Sequence, residues 1–146
     1  MTDRYGNTIK VTLDKYPCQG NGNGFKMGGQ YTNHLVTVHH CLAVANNTRG
    51  FDQNNNGGTM WLYNNSAYAN TVNYGFTTAY GTNTLQNNIS LNSINGDSYK
   101  SQNVAANDHN SWNSGFTCAV SDFQSLDTTQ ILAVRQADGS LQEGTF

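Results

Sequence analysis

Charge and long apolar runs are both scarce in this chain, and each shortage excludes something. Charged residues make up 11% of the 146 positions and the net charge is −2, whereas about a quarter of an ordinary globular protein is charged. We therefore expect no nucleic-acid partner. No apolar stretch reaches about 18 residues, so we expect no membrane span. No window repeats apolar residues at the helical period, which leaves helix a minor component.

Cysteine is also sparse, with three copies at Cys18, Cys41 and Cys118. The number is odd and no C-x-x-C occurs, which argues against a zinc or redox motif. We expect Cys41 to be a small buried thiol. The opening string MTDRYGNTIK has neither an apolar core nor a cleavage site, so it predicts no signal peptide. On this ground the chain is either cytoplasmic or a piece of a secreted protein.

Asparagine, by contrast, is abundant, with 22 copies. Its side chain tolerates left-handed backbone and caps turns, and stacked asparagines can hydrogen-bond in a column from one strand to the next. A low-complexity polar segment is the alternative interpretation. We favour an ordered fold because aromatic and branched residues recur at matching places, and because disorder needs low hydrophobicity together with high net charge.

A Gly–Phe dipeptide returns at Gly24–Phe25, Gly50–Phe51 and Gly75–Phe76, in steps of 26 and 25 residues. Periods of about 20–50 residues are typical of solenoids. The sequences that follow the three markers also resemble one another: HHCLAVANN at 39–47, YNNSAYANT at 63–71 and, more loosely, QNNISLNSI at 86–94. Because alternate side chains of a strand face opposite ways, each repeat predicts one coil of short strands and tight turns.

The pattern predicts a single domain over residues 1–146, with coils over about 1–95 and an irregular C-terminal cap and tail over about 96–146. Repeat stacks need atypical end pieces, and the repeat fades after residue 95. Residues 128–135 are either a short helix or a strand. The predicted strands are Thr8–Leu13, Leu35–Val38, Leu42–Ala45, Met60–Tyr63, Ala67–Ala69, Phe76–Tyr80 and Leu85–Leu91.

Lys26 and Asp52 each follow a Gly–Phe marker directly, so they hold the same place on successive coils. Strands of one sheet lie about 4.8 Å apart, which predicts that the two side chains are neighbours on one face. The plain interpretation is a surface ion pair worth about 0–1 kcal/mol; the functional one is a lysine base among sugar-facing groups. Five aromatic residues either meet sugar rings or fill the interior: Trp61, Tyr63, Tyr68, Tyr74 and Tyr80.

Three histidines close to Cys41 raise the question of a metal site: His34, His39 and His40. Three of these four residues are consecutive, and consecutive residues of a strand cannot all point one way. We therefore expect no metal site there.

Four strings together resemble the C-terminal half of polysaccharide lyase family 9: GNGFKMGG at 22–29, GFDQNNNGG at 50–58, LYNNSAYAN at 62–70 and the tail HNSWN…DFQSLD…RQADGSL at 109–141. Each string alone is modest support, but four in the family's order, covering roughly residues 20–141, are strong. The resemblance implies an all-β fold, a right-handed parallel β-helix of about three to five coils with an irregular C-terminal cap. It also implies pectate or rhamnogalacturonan lyase activity on pectin-type acidic polysaccharide, and an extracellular or periplasmic location.

The family's reaction is β-elimination. Calcium holds the uronate carboxylate and acidifies the C5 proton, a lysine removes that proton, and the bond to O4 breaks. The family's lysine matches Lys26 within GFKMGG, where the family has leucine in place of Met27. Lysine amines are ordinarily protonated at neutral pH, so the surroundings have to make a base of one. We also predict four substrate-binding residues: Arg49, Asp52, Asn54 and Asn55.

The calcium aspartates of the family lie one to two coils before that lysine, in DG-F and DDGWD-like segments that this chain lacks. Asp14 is the single acidic residue between Arg4 and Lys26, whereas calcium takes about six to eight oxygen ligands. This departure from the family's pattern predicts a truncated gene product or fragment, no metal site in the chain, and weak or no lyase activity for the isolated 146 residues.

Three function classes stay open. The first is a pectate-lyase-type eliminase, and the second is a non-catalytic carbohydrate-binding or structural β-helix. The third, a solenoid adhesin segment, is supported by the repeat alone. In each case exposed coil ends predict self-association, because unpaired strand edges invite pairing.

Overall fold

The computed structural model describes residues 20–78, 81–99, 104–113 and 115–140. Within those ranges the regular structure consists of short β-strands and two 3₁₀ turns, Val120–Asp122 and Thr128–Leu132. The strands are β1 (Phe25–Lys26), β2 (Val36–His39), β3 (Leu42–Val44), β4 (Arg49–Asp52), β5 (Met60–Tyr63), β6 (Ser66–Tyr68), β7 (Val72–Phe76), β8 (Asn83–Gln86), β9 (Ile89–Leu91), β10 (Ser98–Tyr99) and β11 (Val104–Asp108). None of the described helical segments is long and apolar enough to cross a bilayer.

Three parallel sheets form the walls of a solenoid. The first sheet has the order β1-β4-β7-β10, the second β2-β5-β8-β11 and the third β3-β6-β9. Successive strands along the chain therefore enter different sheets, and each complete coil gives one strand to every wall. This is a parallel β-helix of about three coils.

The predicted alignment of the repeated segments is confirmed in register. His39 pairs with Tyr63 and Tyr63 with Gln86; three residues on, Leu42 pairs with Ser66 and Ser66 with Ile89. Inward positions of the second sheet are apolar and fully buried at Met60, Leu62 and Leu85. The strands form because this alternation gives each short segment one side to bury.

A column of aromatic rings fills the interior behind the first sheet. Phe25 stacks on Phe51 at 4.8 Å, and Phe51 on Tyr74 at 5.0 Å. Tyr74 then meets Trp112 at 5.0 Å, and its hydroxyl donates to Asn65 O at 3.1 Å. Tyr74 is thus an interior residue.

The third Gly–Phe marker does not share the register of the first two. Phe51 pairs with Tyr74, which places Asp52 beside Gly75. Tyr74 takes the interior ring position because its hydroxyl finds buried carbonyl acceptors, and buried hydroxyls need such partners. The marker therefore aligns coils one and two, and the expectation that it marks the same place in the third coil is wrong.

Two columns of asparagine hold the turns, as the asparagine content predicts. In the first, each backbone N–H donates to the amide oxygen of the next coil: Asn65 to Asn88 at 3.0 Å and Asn88 to Asn110 at 2.9 Å. The second column runs through Asn46, Asn70 and Asn73. The buried amides of these columns satisfy backbone groups that the bend takes out of the sheets, and Asn46 is the partly exposed member.

Left-handed backbone produces the bends themselves. Four residues that follow strands of the second sheet share φ values between 52° and 56°: His40, Asn64, Asn87 and His109. The expected strand Leu85–Leu91 is wrong for this reason, because the left-handed residue in its middle divides it into β8 and β9. The expected strand Phe76–Tyr80 is also wrong over residues 76–78, since β7 ends at Phe76, and residues 79–80 lie outside the described residues. The predicted strand Thr8–Leu13 lies outside the described residues.

Stacking continues beyond residue 95, where we expected the coils to end. β10 pairs with β7 and β11 with β8, so the first two sheets extend into the region predicted as cap. The tail then runs beside the third sheet, with a cavity of about 320 Å³ between them that Cys41, Tyr68, Phe123 and Leu126 help to line. Cys41 is partly exposed at this cavity, so the expectation of a buried thiol is wrong.

Candidate functional site

Lys26 and Asp52 are register partners in β1 and β4, as the spacing predicts. The residues before them, Phe25 and Phe51, stack in the interior. Because alternate side chains of a strand face opposite ways, Lys26 and Asp52 both belong to the outer face of the first sheet. Lys26 is exposed, while Asp52 retains 3% of its accessible surface.

Asp52 is nevertheless not the ion partner of Lys26. Its Oδ1 accepts from Arg49 Nη1 at 2.8 Å and from Asn54 N at 2.9 Å, and its Oδ2 accepts from Asn23 Nδ2 at 2.9 Å. The surface ion pair considered from the spacing is replaced by a buried carboxylate with three donors. A buried charge is tolerated when it is paired and hydrogen-bonded in this way.

Arg49 is held in place from two sides. Its backbone N–H donates to Asn23 Oδ1 at 3.0 Å, so Asn23 binds both members of the ion pair. Its aliphatic stem crosses Gly75, where a Cβ would overlap Arg49 Cδ. The Arg49 side chain is 32% exposed to solvent. Two cations, Lys26 and Arg49, therefore border one buried carboxylate on the first sheet, an arrangement suited to an anionic ligand.

The loop after β4 carries Asn54 and Asn55 with left-handed φ values of 48° and 57°. Asn54 Nδ2 donates to Gly28 O, and Asn55 Oδ1 accepts from Thr78 Oγ1 at 3.2 Å. Each amide thus fastens the loop to a neighbouring coil. Both side chains are partly exposed beside Asp52, which leaves them within the region that we predict to bind substrate.

Asn56 fixes the loop after Lys26 and is not among the site residues predicted from the sequence. Its side chain is fully buried, and its Nδ2 donates to Met27 O at 2.9 Å and to His34 O at 3.1 Å. Its backbone lies so close to Gly28 that a Cβ there would collide with it. A glycine pair opposite three consecutive asparagines is the signal that could have revealed this packing.

The described residues do not fit calcium. Both Asp52 oxygens are taken by protein N–H groups. No group of three or more His, Cys, Asp or Glu gathers anywhere in the part of the chain that the structure describes. Calcium needs about six to eight oxygen ligands, so this outer face offers cations and amides rather than a cation site.

The chain matches known proteins along most of its length. A family model described as "Pel9A-like, right handed beta helix region" matches residues 4–107. Pectate lyase L of Dickeya chrysanthemi is 41% identical over 133 residues, which cover 85% of this chain and 29% of that protein. Pectate lyase PEL9 of Emericella nidulans is 33% identical over 141 residues, covering 91% and 33% respectively.

The fold has a solved counterpart as well. The crystal structure of pectate lyase Pel9A matches with a TM-score of 0.79 at 38% identity, covering 86% of this chain and 31% of that one. The chain thus spans about a third of the length of the relatives it matches. Its parallel coils, its repeat register and these similarities agree, and the chain belongs to polysaccharide lyase family 9 through its Pel9A-like right-handed β-helix region.

Proposed function

We propose that this chain is the part of a pectate-lyase-type protein that carries the proton-abstracting base for β-elimination of uronic-acid polysaccharide. The observation that supports this most is the pairing of an exposed Lys26 with the clamped Asp52–Arg49 pair in a Pel9A-like β-helix. The two relatives and the solved structure named above are all called pectate lyases.

In this proposal Lys26 in its neutral form removes the C5 proton of a uronate unit. The electron pair left at C5 forms the C4–C5 double bond, the C4–O4 bond breaks, and the departing O4 takes a proton from solvent. Arg49 binds the uronate carboxylate through the N–H groups that Asp52 does not use. Asp52 acts by orienting Arg49, because both of its own oxygens are taken.

Asn54 and Asn55 are the proposed neutral contacts of this site. Each has an amide atom that binds no described residue, Oδ1 in Asn54 and Nδ2 in Asn55, and these can meet sugar hydroxyls. Calcium is implied for the family by the resemblance. The described residues do not fit calcium, so none of them is assigned as a calcium ligand. An acidic polysaccharide substrate is itself extracellular, which supports an extracellular or periplasmic location.

Polygalacturonate incubated with the purified chain tests the proposal, with and without added calcium. The readout is the ultraviolet absorbance of the unsaturated product. Our expectation for the isolated chain is weak or no turnover, so a strong calcium-dependent rise would refute that expectation. A chimaera in which residues 20–140 replace the matching segment of the Dickeya pectate lyase gives the decisive comparison. Its activity should disappear on Lys26→Ala and persist on Arg135→Ala, which removes an exposed tail cation.

The second candidate is a non-catalytic carbohydrate-binding β-helix, which the exposed Lys26 and the partly exposed Asn54 and Asn55 support without requiring a reaction. Binding of polygalacturonate with no rise in absorbance in either protein would support this function, and absence of both binding and turnover would refute both. We propose self-association through coil ends in addition. Light scattering that shows a monomer at high protein concentration would contradict it.

A further inference from the structure

Two imidazoles meet at the end of β2, the first strand of the second sheet. β2 ends at His39, and His40 has a left-handed φ of 52°. His39 Nδ1 lies 2.9 Å from His40 Nδ1, with the two rings nearly perpendicular at 86°. In a regular strand the side chains of two consecutive residues lie on opposite faces, which is why the sequence predicts no metal site here. The left-handed residue interrupts that alternation and brings both side chains together.

The spacing of the two nitrogens fits a chelated metal ion. Imidazole nitrogens bind first-row metals at about 2.0–2.1 Å. Two nitrogens 2.9 Å apart subtend about 90° at an ion placed at that distance from both, which is the cis angle of a square-planar or octahedral site. A tetrahedral ion would need nitrogens about 3.3 Å apart. The observed geometry therefore favours Cu²⁺ or Ni²⁺ over Zn²⁺.

The surroundings leave room for such an ion and orient one of the rings. Both histidines are exposed, so water can complete the coordination. Asn64 Nδ2 of the next coil lies 3.4 Å from His40 Nε2. When that amide turns over, its oxygen can accept the Nε2–H, and a bond of this kind to the second nitrogen is what orients most metal-binding histidines.

We propose that His39 and His40 form a chelating site for a divalent transition metal, Cu²⁺ or Ni²⁺, on the outer face of the second sheet. Without metal the two rings share one N–H···N hydrogen bond. The ion takes the place of that proton, which passes through solvent to Nε2 of the same ring, so both imidazoles stay neutral and no proton is released overall. The site is separate from Lys26, which lies on the first sheet, so it stands independently of the lyase proposal.

The repeat itself supplies variants that keep the fold. In register with His39 the third coil has Gln86, and Asn87 after it adopts the same left-handed backbone as His40. His39→Gln and His40→Asn therefore copy side chains that this solenoid already accommodates. His109→Asn is the matched control, because His109 occupies the corresponding turn after β11.

Titration of the intact chain with Cu²⁺ alone, by calorimetry and by electron paramagnetic resonance, tests the site. The wild type should bind one Cu²⁺ with hyperfine coupling to two imidazole nitrogens. Each single variant should weaken that binding at least about tenfold, because the second contact of a chelate is intramolecular, while His109→Asn leaves it unchanged. Wild-type affinity in both variants, or coupling to fewer than two imidazoles, would overturn the proposal. Binding of Ca²⁺ that depends on these histidines would do so too.

Discussion

Removing one asparagine from the middle of the first column should destabilise the whole solenoid. Asn88 is 1% exposed. Its Oδ1 accepts from the backbone and the side chain of Asn65 at 3.0 and 3.1 Å. Its Nδ2 donates to Leu62 O at 3.0 Å and to Asn110 Oδ1 at 2.9 Å. Asn88→Ala therefore removes four hydrogen bonds and leaves their partner groups on two neighbouring coils without that bond.

The expected magnitude follows from the backbone groups left behind. Asn65 N–H and Leu62 O both lose the Asn88 side chain as a partner in the interior. An unsatisfied buried group costs about 1–3 kcal/mol, so the loss is about 2–6 kcal/mol. Domains of this size are stable by about 5–15 kcal/mol in total. Asn88→Leu should cost as much as Asn88→Ala, because the larger side chain restores volume but none of the bonds.

Urea unfolding followed by tryptophan fluorescence measures the effect, since Trp112 stacks at 4.6 Å on Tyr99 and reports the packed interior. The neighbouring exposed residue gives the control: Asn87 has φ 56°, so Asn87→Gly keeps the turn and should change stability by no more than about 0.5 kcal/mol. The reasoning fails if Asn88→Leu is as stable as the wild type, because packing rather than hydrogen bonding would then hold the column.

Three further changes have expected outcomes. Asn83 is fully buried and neither its Oδ1 nor its Nδ2 has a partner among the described residues, so Asn83→Leu should raise the free energy of unfolding by about 1–3 kcal/mol; a lower urea midpoint would contradict this. Burial, and secondarily Asp97, raise the pKa of Tyr74. Its contribution to stability is therefore complete below its unfolded pKa of about 10 and is lost above it, at about 1.4 kcal/mol per pH unit; urea midpoints measured across alkaline pH should fall less steeply in Tyr74→Phe. Gly75→Ala should push the Arg49 stem aside and weaken polygalacturonate binding about tenfold; equal binding by both proteins would remove Arg49 from the proposed site.

Sequence pattern was sufficient where a local rule repeats. The segments around His39, Tyr63 and Gln86 align in register because each carries the same alternation of buried and exposed positions. The asparagine columns follow from the same argument. The pairing of Lys26 with Asp52 was predictable for this reason, since a shared marker precedes both.

Sequence pattern failed where side chains from different coils decide the outcome. The partner of Asp52 is Arg49, three positions earlier in the same strand, and the Arg49 stem has room there because residue 75 in the next coil lacks a Cβ. The contact between the Arg49 stem and residue 75 is not visible along one strand. The meeting of His39 and His40 depends on a single left-handed residue, and periodicity assumes that no such residue is present.

The first asparagine column also has a direction. Every backbone N–H in it, beginning with Cys41, donates toward the following coil, and the series closes when Asn110 donates to Asn113 three residues on. Cys41 has no side-chain oxygen that could accept an N–H from a preceding coil, so among the described residues the column begins at Cys41 and ends at Asn113. A coil duplicated between Asn65 and Asn88 would accept the Asn65 N–H and would donate its own N–H to Asn88 Oδ1. A coil joined ahead of Cys41 would find no such acceptor in the Cys41 side chain. The solenoid can therefore be lengthened by design from its middle.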